Sequence, residues 1–308
     1  MKKVFIDGSA GTTGLRIYER LSARDDVEIL TLSDEKRKDP SARKEMLYQA
    51  DIAFLCLPDD AAREAVALAE GSDVVIIDAS TAHRTLPDWA YGFPELSKTH
   101  EEKILSSKRI AVPGCHASGF IALVYPLIEA GLLPKESLLT CHSITGYSGG
   151  GKKMIADYES EEKSALLGAP RQYGLTQQHK HLKEMKAITG IENAPCFSPI
   201  VSDFYSGMTV TVPLFASQIK GSVDEIKAVY KTKYTSELVS YVESADESGF
   251  ISGAALSGKD CMKITVAGND ERILLIACYD NLGKGASGAA IECMNMVLGA
   301  EKTKGLVL

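Results

Sequence analysis

Cys115 has the setting of a nucleophilic cysteine. A strand-like run at residues 109–112 ends at Pro113-Gly114, and apolar residues with a helical period follow Cys115. We therefore expect Cys115 at or just before a helix N-terminus, where unpaired backbone N–H groups favour negative charge. Such a position lowers a thiol pKa from about 8.5 to between roughly 3.5 and 7.5, and thiolate is the nucleophilic form. A cysteine that merely packs is the alternative interpretation, but small neighbours leave room for a substrate.

A nucleophilic thiol needs a group that moves protons, and His179 and His181 are the strongest of six histidines for this role. They lie just before or at the start of a helix in which Leu182 and Met185 recur on one side. Two histidines flanking Lys180 also fit a solvated surface turn, and the residues alone favour that interpretation. No metal is expected, because the chain has no Cys-x-x-Cys and its two Cys-His dipeptides lack zinc-site spacing.

A glycine-rich turn near the N-terminus predicts a dinucleotide site. A short apolar strand ends at Asp7, and a helical pattern starts at Leu15. Between them the glycines permit a tight turn, close approach to a pyrophosphate, and packing of helix on strand. Phosphates then bind at the helix N-terminus. The residues that we assign to this turn are Gly8, Ser9, Ala10, Gly11, Thr12, Thr13 and Gly14.

The loop after the second strand bears on the choice between NAD and NADP. Asp34 could bind a ribose 2′-hydroxyl, as in NAD sites. A 2′-phosphate could instead be bound by Ser33, Lys36, Arg37 and Lys38. The sequence therefore favours NADP.

Four apolar strands alternate with helices over the first 114 residues, which predicts a parallel sheet covered on both faces. Ligands of such sheets bind at the carboxyl ends of the strands. Those ends carry the glycine turn, Leu57 with Pro58, Ser80, and Gly114 with Cys115. We expect the glycine turn and the nucleophile to converge on this edge.

The remainder of the chain predicts a second, α+β domain with a mixed or antiparallel sheet. Strand-like runs occur at residues 138–144, 208–215, 262–267 and 272–279, and Ser222 with Glu225 forms a capping box. Residues 146–153 are interpreted as a mobile basic loop that lacks P-loop spacing. The predicted domains are 1–114, to which a C-terminal helix at 284–308 returns, and 115–283 for catalysis and oligomerisation.

Composition narrows the class of protein. The chain has 308 residues, a net charge of −7 and 45% hydrophobic residues, which argues against nucleic acid or a membrane surface as a partner. No signal-like N-terminus and no apolar run of membrane-spanning length is present. Seven scattered cysteines suggest reduced thiols. We expect a cytoplasmic protein.

Six blocks in this order resemble the N-acetyl-γ-glutamyl-phosphate reductase family, in its shorter form. They are GSAGTTG at 8–14, DASTAHR at 78–84, YGFPEL at 91–96, PGCHASG at 113–119, HKHLKE at 179–184 and NLGKGASG at 281–288. The blocks run from the first strand to the last helix. Those around 91, 113 and 281 carry the specificity of the resemblance.

The resemblance implies a Rossmann domain plus an α+β catalytic domain in a homo-oligomer, a dimer or tetramer. It implies reduction of N-acetyl-L-glutamyl 5-phosphate by NADPH through a cysteine thioester, the third step of arginine biosynthesis. Cys115 would be the nucleophile and His179 the acid–base group, with His181 close behind. Further cofactor contacts would come from Asn281, Gly283 and Lys284. The candidates for binding the anionic substrate are Arg84, Ser118, Gly146, Lys152 and Lys153.

One departure from the family pattern is that Tyr205-Ser206-Gly207 stands where the long form carries an arginine, which leaves a substrate contact from that position open. Two other functions are considered. An aspartate-semialdehyde dehydrogenase would use the same chemistry on a shorter acyl phosphate. A non-catalytic NADP-sensing regulator would need neither Cys115 nor the histidines. Glyceraldehyde-3-phosphate dehydrogenase is disfavoured, because its Ser-Cys-Thr-Thr-Asn motif is absent.

Overall fold

The computed structural model describes all of residues 1–308, and the chain forms two compact units. Unit one consists of Met1–Pro113 together with Ala286–Val307, and unit two consists of Gly114–Gly285 with Leu308. The sequence predicts that the first domain ends at residue 114 and that the chain returns to it at residue 284, close to the limits of these units. No helix has the length and apolar character needed to cross a membrane.

Unit one is built on a six-stranded, wholly parallel sheet of order β2-β1-β3-β4-β6-β5. Its strands are β1 (Lys2–Asp7), β2 (Val27–Leu30), β3 (Ile52–Leu55), β4 (Val75–Asp78), β5 (Ala90–Tyr91) and β6 (Arg109–Ala111). Its helices are α1 (Thr12–Ser22), α2 (Pro40–Gln49), α3 (Asp59–Leu68), α4 (Lys98–Ser106) and the C-terminal helix Gly288–Val297. The predicted parallel sheet is confirmed.

Both faces of this sheet are buried. Successive side chains of a strand point to opposite sides of the sheet, so neighbouring residues of β1 belong to different apolar clusters. Val4 and Ile6 of β1 belong to one apolar cluster, which includes α1 and the C-terminal helix. Phe5 belongs to a second cluster, which includes α2 and α3. This arrangement explains why the strands of unit one are continuously apolar rather than alternating.

Unit two contains a seven-stranded mixed sheet of order β11-β12-β13-β10-β7-β9-β8. The strands are β7 (Thr140–Gly146), β8 (Arg171–Gln172), β9 (Cys196–Ser202), β10 (Met208–Phe215), β11 (Val239–Tyr241), β12 (Met262–Gly268) and β13 (Arg272–Tyr279). The pairs β7/β9 and β11/β12 are parallel, and the others are antiparallel. The helices are α5 (Cys115–Glu129), α6 (Gly151–Glu159), α7 (His181–Thr189) and α8 (Val223–Lys233).

One face of the second sheet packs against α5, which contacts β10, β13 and α7. Val210, Val212 and Leu275 lie on this covered face and are fully buried. The strand alternation puts Ile144, Phe215 and Leu274 on the other face, where 38%, 62% and 38% of their surface is exposed. We call this second surface the open face.

The prediction of a mobile loop at residues 146–153 is wrong. A 3-10 turn, Tyr147–Gly150, leads directly into α6. The backbone N–H of Gly146 donates to the carbonyl of Gly207 (3.0 Å), and that of Ser148 donates to the carbonyl of Tyr205 (2.9 Å). The glycines are present because of close packing: a Cβ at Gly146 would lie 2.5 Å from the Tyr205 carbonyl oxygen.

Candidate active site

Cys115 is the first residue of α5, as predicted, and it is half-buried. The backbone around it is held from two distant parts of unit two. The Gly114 N–H donates to Oε1 of Glu184 in α7 (2.8 Å). The Tyr279 hydroxyl at the end of β13 donates to the Cys115 carbonyl and accepts from the Gly119 N–H (3.0 Å). The helix N-terminus that carries the sulfur is therefore fixed by contacts that are remote in sequence.

Gly285 leaves room beside the cysteine. A Cβ at Gly285 would lie 3.2 Å from the Cys115 Cβ and 3.0 Å from the Asp280 carbonyl oxygen. Both distances are shorter than ordinary carbon contacts. A side chain at position 285 would therefore press on the residue that carries the sulfur.

Three histidine rings meet at the start of α5, where His116 directly follows Cys115. The ring centroids of His179 and His181 are 4.8 Å apart, and the ring of His116 lies 5.7 Å and 5.6 Å from them. His181 is buried, with 4% of its surface exposed. The interpretation of the histidine pair as a solvated surface turn is therefore wrong, because the first turn of α7 faces the interior of unit two. The rings are not arranged as a metal site.

Burial sets the charge of these rings. The pKa of His116 is lowered from 6.5 to about 3, first by burial and then by repulsion from the protonated form of His179 and from Lys180. Burial and Lys180 also lower the pKa of His179. Both imidazoles are therefore neutral at pH 7, and a neutral imidazole can take a proton from a thiol.

His116 and Tyr173 were not assigned a role from the sequence, although both belong to this cluster. His116 Nδ1 lies 2.6 Å from Ser143 Oγ, and Nε2 lies 2.6 Å from Tyr173 Oη. The pKa of Tyr173 is raised by burial and, to a smaller extent, by the charge of Cys115. The only sequence signal was that His116 directly follows the nucleophile.

The predicted Asn281–Lys284 segment lies in a tightly bonded turn beside Gly285. Asn281 Oδ1 accepts from the Gly207 N–H (2.8 Å), and its Nδ2 donates to Ser148 Oγ (3.0 Å). Asp280 Oδ1 accepts from the Gly283 N–H (3.1 Å). Lys284 is buried, with 2% of its surface exposed. The assignment of this segment to the cofactor stays a prediction.

Unit one contains a cleft of about 340 Å³ at the carboxyl ends of β1 and β2. The glycine turn from Gly8 to Ala10 forms one wall, and Leu57 contributes beside it. Gly8 has φ +88°, and a Cβ there would lie 2.3 Å from the Cys56 carbonyl oxygen. Only glycine fits this position. Gly11 is the N-cap of α1 and offers no side-chain cap, so the helix N-terminus suits a phosphate.

The opposite wall of the cleft includes Asp34, Arg37 and Lys38. Arg37 Nη1 lies 3.5 Å from Asp34 Oδ1, and both side chains are exposed. Ser33 and Lys36 belong to the same turn, where the Lys36 N–H donates to the Ser33 carbonyl (2.9 Å). This loop therefore has the positive groups that a 2′-phosphate needs.

Two other predicted cofactor residues lie at neighbouring strand ends of unit one. Pro58 is the N-cap of α3. Ser80 is buried, and its hydroxyl donates to Asp78 Oδ2 (2.7 Å). The strand ends of β1, β3, β4 and β6 share one edge, as predicted. Whether Cys115 meets the cofactor there stays a prediction.

The predicted substrate residues have diverse surroundings. Arg84 is buried in unit one, where its Nε donates to the Val112 carbonyl (2.8 Å) and its Nη2 to the Ala79 carbonyl (2.9 Å). Ser118 Oγ donates to the Gly114 carbonyl (3.1 Å). Lys152 and Lys153 are exposed in the first turn of α6. Gly146 was described above, and contact of any of these residues with substrate stays a prediction.

Comparison with known proteins gives the family. The semialdehyde dehydrogenase NAD binding domain matches residues 3–104, and the semialdehyde dehydrogenase dimerisation domain matches residues 115–281. Solved structures share the fold: aspartate semialdehyde dehydrogenase II complexed with ASA from Vibrio cholerae has a TM-score of 0.73 at 16% identity, covering 97% of this chain and 98% of that one. Aspartate semialdehyde dehydrogenase with NADP from Candida albicans has a TM-score of 0.69 at 15% identity, covering 97% and 99%.

Curated relatives are far more similar in sequence. N-acetyl-gamma-glutamyl-phosphate reductase from Sinorhizobium medicae is 45% identical over 307 residues, covering 97% of this chain and 99% of the relative. N-acetyl-gamma-glutamyl-phosphate reductase 2 from Nostoc sp. is 44% identical over 318 residues, covering 99% of both. The chain therefore belongs to the semialdehyde dehydrogenase family and, within it, to the N-acetyl-gamma-glutamyl-phosphate reductases.

Proposed function

We propose that the chain reduces N-acetyl-L-glutamyl 5-phosphate to N-acetyl-L-glutamate 5-semialdehyde and phosphate, with NADPH as the reductant, in arginine biosynthesis. The observation that carries this proposal is that Cys115 begins α5 and that His116, the next residue, packs against the rings of His179 and His181. This arrangement has the two groups that acyl transfer requires, a nucleophile and a proton carrier.

Cys115 forms the covalent bond. Its thiolate attacks the acyl carbon, the bond to the phosphate oxygen breaks, and inorganic phosphate leaves with the electron pair. The first intrahelical bond in this turn runs from the Ser118 N–H to the Gly114 carbonyl. The N–H groups of His116 and Ala117 precede that bond, so they suit the oxyanion of the tetrahedral intermediate.

A histidine moves the protons. His179 is the candidate for the acid–base group, because it is half-buried and neutral at pH 7, and His181 is the second candidate. The imidazole accepts the thiol proton and later protonates the developing alkoxide, a role worth about 10²–10⁴-fold in rate. Replacing each by alanine should reduce kcat in one variant far more than in the other. Equal, small losses would contradict the assignment.

The residues of unit one suit NADP. The glycine turn would hold the pyrophosphate at the α1 N-terminus, and Arg37 with Lys36 and Ser33 would hold the 2′-phosphate. NADPH, when bound, would supply the hydride that reduces the Cys115 thioester to a thiohemiacetal. When the C–S bond of that thiohemiacetal breaks, the aldehyde leaves, the hydroxyl proton returns to the imidazole and the Cys115 thiolate is restored. The residues assigned to substrate, Arg84 among them, belong to this proposal at the level of prediction.

We also propose that the protein is a homodimer formed through the open face of unit two. The matched family domain is described as a dimerisation domain, and Phe215 on this face is 62% exposed. Light scattering should give the mass of a dimer or of a tetramer built from dimers. Leu274→Lys should lower that mass, whereas Leu138→Lys, at an exposed residue outside the strands, should not. Cytoplasmic location also stays a proposal.

The deciding experiment is the reverse reaction. Purified protein is given NADP⁺ and inorganic phosphate with either N-acetylglutamate semialdehyde or aspartate semialdehyde. The proposal expects phosphate-dependent NADPH formation with the acetylated aldehyde. Preference for aspartate semialdehyde would favour the aspartate-semialdehyde dehydrogenase alternative, and nucleotide binding without turnover of either aldehyde would favour a sensor. A Cys115→Ser variant, purified in the same way, is the control for NADP⁺ reduction by a contaminating enzyme.

A further inference from the structure

We propose that His116 is a positioning residue for this reaction, because its ring holds the Tyr173 hydroxyl beside Cys115 so that the hydroxyl donates a hydrogen bond to the reacting centre. The inference rests on the proposed function for its catalytic consequence. Its effect on the sulfur itself can be measured without substrate.

The geometry gives His116 two polar contacts and no access to solvent. It is the second residue of α5, with 3% of its surface exposed. Its two ring nitrogens lie 2.6 Å from Ser143 Oγ on β7 and 2.6 Å from Tyr173 Oη. The Tyr173 backbone is fixed in turn, because its N–H donates to the Pro199 carbonyl of β9 (3.0 Å). Helix, strand and loop are thus joined through one imidazole.

The rings around His116 limit its movement. Phe197 packs on its ring at a centroid distance of 5.4 Å, and the rings of His179 and His181 lie within 6 Å. An apolar ring could fill the same space. Packing alone therefore does not require a histidine, whereas the two short contacts to hydroxyl groups do.

The charge state of His116 suits a residue that positions the Tyr173 hydroxyl and does not suit a general acid. Because burial lowers its pKa, the ring is neutral at pH 7 and has one N–H and one lone pair. We assign the hydrogen to Nε2, which donates to Tyr173 Oη, while the Ser143 hydroxyl donates to Nδ1. This tautomer leaves the Tyr173 O–H to point at another acceptor.

The acceptor in this proposal is Cys115, which directly precedes His116 in the first turn of α5, while the Tyr173 hydroxyl lies 2.6 Å from the His116 ring. Burial and, to a smaller extent, the charge of Cys115 raise the pKa of Tyr173, so the phenol keeps its proton. A phenol O–H directed at a thiolate stabilises it, and directed at the thioester oxygen it stabilises the developing alkoxide. His116 acts through this hydroxyl and has no contact of its own with the reacting atoms.

The test compares His116→Phe, Tyr173→Phe and the double variant. His116→Phe keeps the ring and removes both polar contacts, and His116→Gln restores a donor near the position of Nε2. We expect His116→Phe to lower kcat by about 10- to 100-fold, with KM changed less than about twofold and a partial recovery in His116→Gln. The double variant should lose no more than Tyr173→Phe, because His116 acts through Tyr173.

A matched control is available in unit one. His100 Nδ1 also lies 2.7 Å from a serine hydroxyl, that of Ser97, so His100→Phe removes the same kind of contact in helix α4 of unit one and should leave kcat unchanged. Thermal melting and NADP⁺ binding show that each variant is folded. If His116→Phe melts early, His116→Gln and Tyr173→Phe still test the proposal.

A second readout does not depend on turnover. The pH dependence of iodoacetamide modification at Cys115, followed by peptide mass spectrometry, gives the pKa of its thiol. That pKa should rise by about one unit in His116→Phe and in Tyr173→Phe, and no further in the double variant. Independent, additive shifts, or an unchanged thiol pKa and kcat in His116→Phe, would overturn the proposal. Absence of wild-type turnover would refute the proposed function instead, and the modification experiment would still decide the role of His116.

Discussion

Replacing Gly285 by alanine should impair catalysis through one added methyl group. The backbone φ of Gly285 is not in the left-handed region, so alanine is allowed conformationally and the effect comes from contacts alone. Its Cβ would lie 3.0 Å from the Asp280 carbonyl oxygen, 3.2 Å from the Cys115 Cβ and 3.3 Å from the Tyr279 ring. Ordinary contacts of this kind begin near 3.4 Å, so the neighbours must move by a few tenths of an ångström.

The Asp280 side of this contact cannot move easily. Its carbonyl accepts the N–H groups of Gly283 (3.1 Å) and Gly285 (3.0 Å), and its carboxylate accepts from the Ser206 hydroxyl (2.8 Å). The displacement therefore falls largely on Cys115. Overpacking of this size costs about 1–2 kcal/mol in the free energy of unfolding, or roughly 2–6 °C in Tm. Because a misplacement of about 1 Å can cost about 10²-fold in rate, we expect kcat to fall by about tenfold.

The assay measures kcat and KM by NADPH formation and Tm by calorimetry. Gly168→Ala is the matched control, because no atom lies within 4 Å of a Cβ at that position and its φ is also outside the left-handed region. The control should retain wild-type kcat and Tm. A Gly285→Ala variant with wild-type kcat would show that the position of the Cys115 backbone does not limit the reaction, and the reasoning would fail.

Three further predictions concern the sulfur, the cofactor and the buried histidine. Cys115→Ser should abolish turnover while NADPH binding, measured by fluorescence titration, stays nearly intact; retained turnover would remove the covalent mechanism. Neutralising Lys36 and Arg37 together should weaken the binding of NADPH more than the binding of NADH. If the affinities for both nucleotides are unchanged in the variant, the 2′-phosphate binds elsewhere. The pKa of His116 is lowered in the folded state to about 3, so its contribution to stability is present above about pH 6.5 and is lost as pH falls toward 3. Denaturant titrations should show His116→Phe losing less stability than wild type over that window, by up to about 1.4 kcal/mol per pH unit, and parallel curves would contradict the assigned burial.

The parallel sheet of unit one was predictable because its strands are apolar on both faces, a pattern that few other arrangements produce. Helix α2 was not predicted, and its composition explains why. Two of its three buried residues are Ala42 and Leu47, but the third is Arg43. Arg43 is tolerated inside because Asp7 (2.9 Å) and Glu64 (2.6 Å) pair with it. A buried ion pair breaks the apolar period on which sequence reasoning depends.

Those parts of the candidate site that depend on neighbouring residues in the sequence could be predicted. Pro-Gly followed by a cysteine and an apolar helical period predicts Cys115 at or just before a helix N-terminus, and α5 begins at Cys115. His116 was overlooked because its partners, Ser143 and Tyr173, are 27 and 57 residues away. The residues around His179 and His181 favour a surface position for both histidines. The sequence near them contains no indication that α7 packs against α5.

The reactivity of Cys115 depends on distant contacts as much as on its own helix. Three separate segments hold its surroundings: Glu184 fixes the Gly114 N–H, Tyr279 fixes the first turn of α5, and Gly285 leaves the space beside it. Glu184 and Tyr279 act on the backbone of α5, and Gly285 acts through the absence of a side chain, so the effect of all three on the sulfur is indirect. Preorganised polar groups are effective because they need not rearrange as charge develops. It follows that substitutions at Glu184 or Gly285 should affect kcat more than KM, although neither residue is assigned a chemical step.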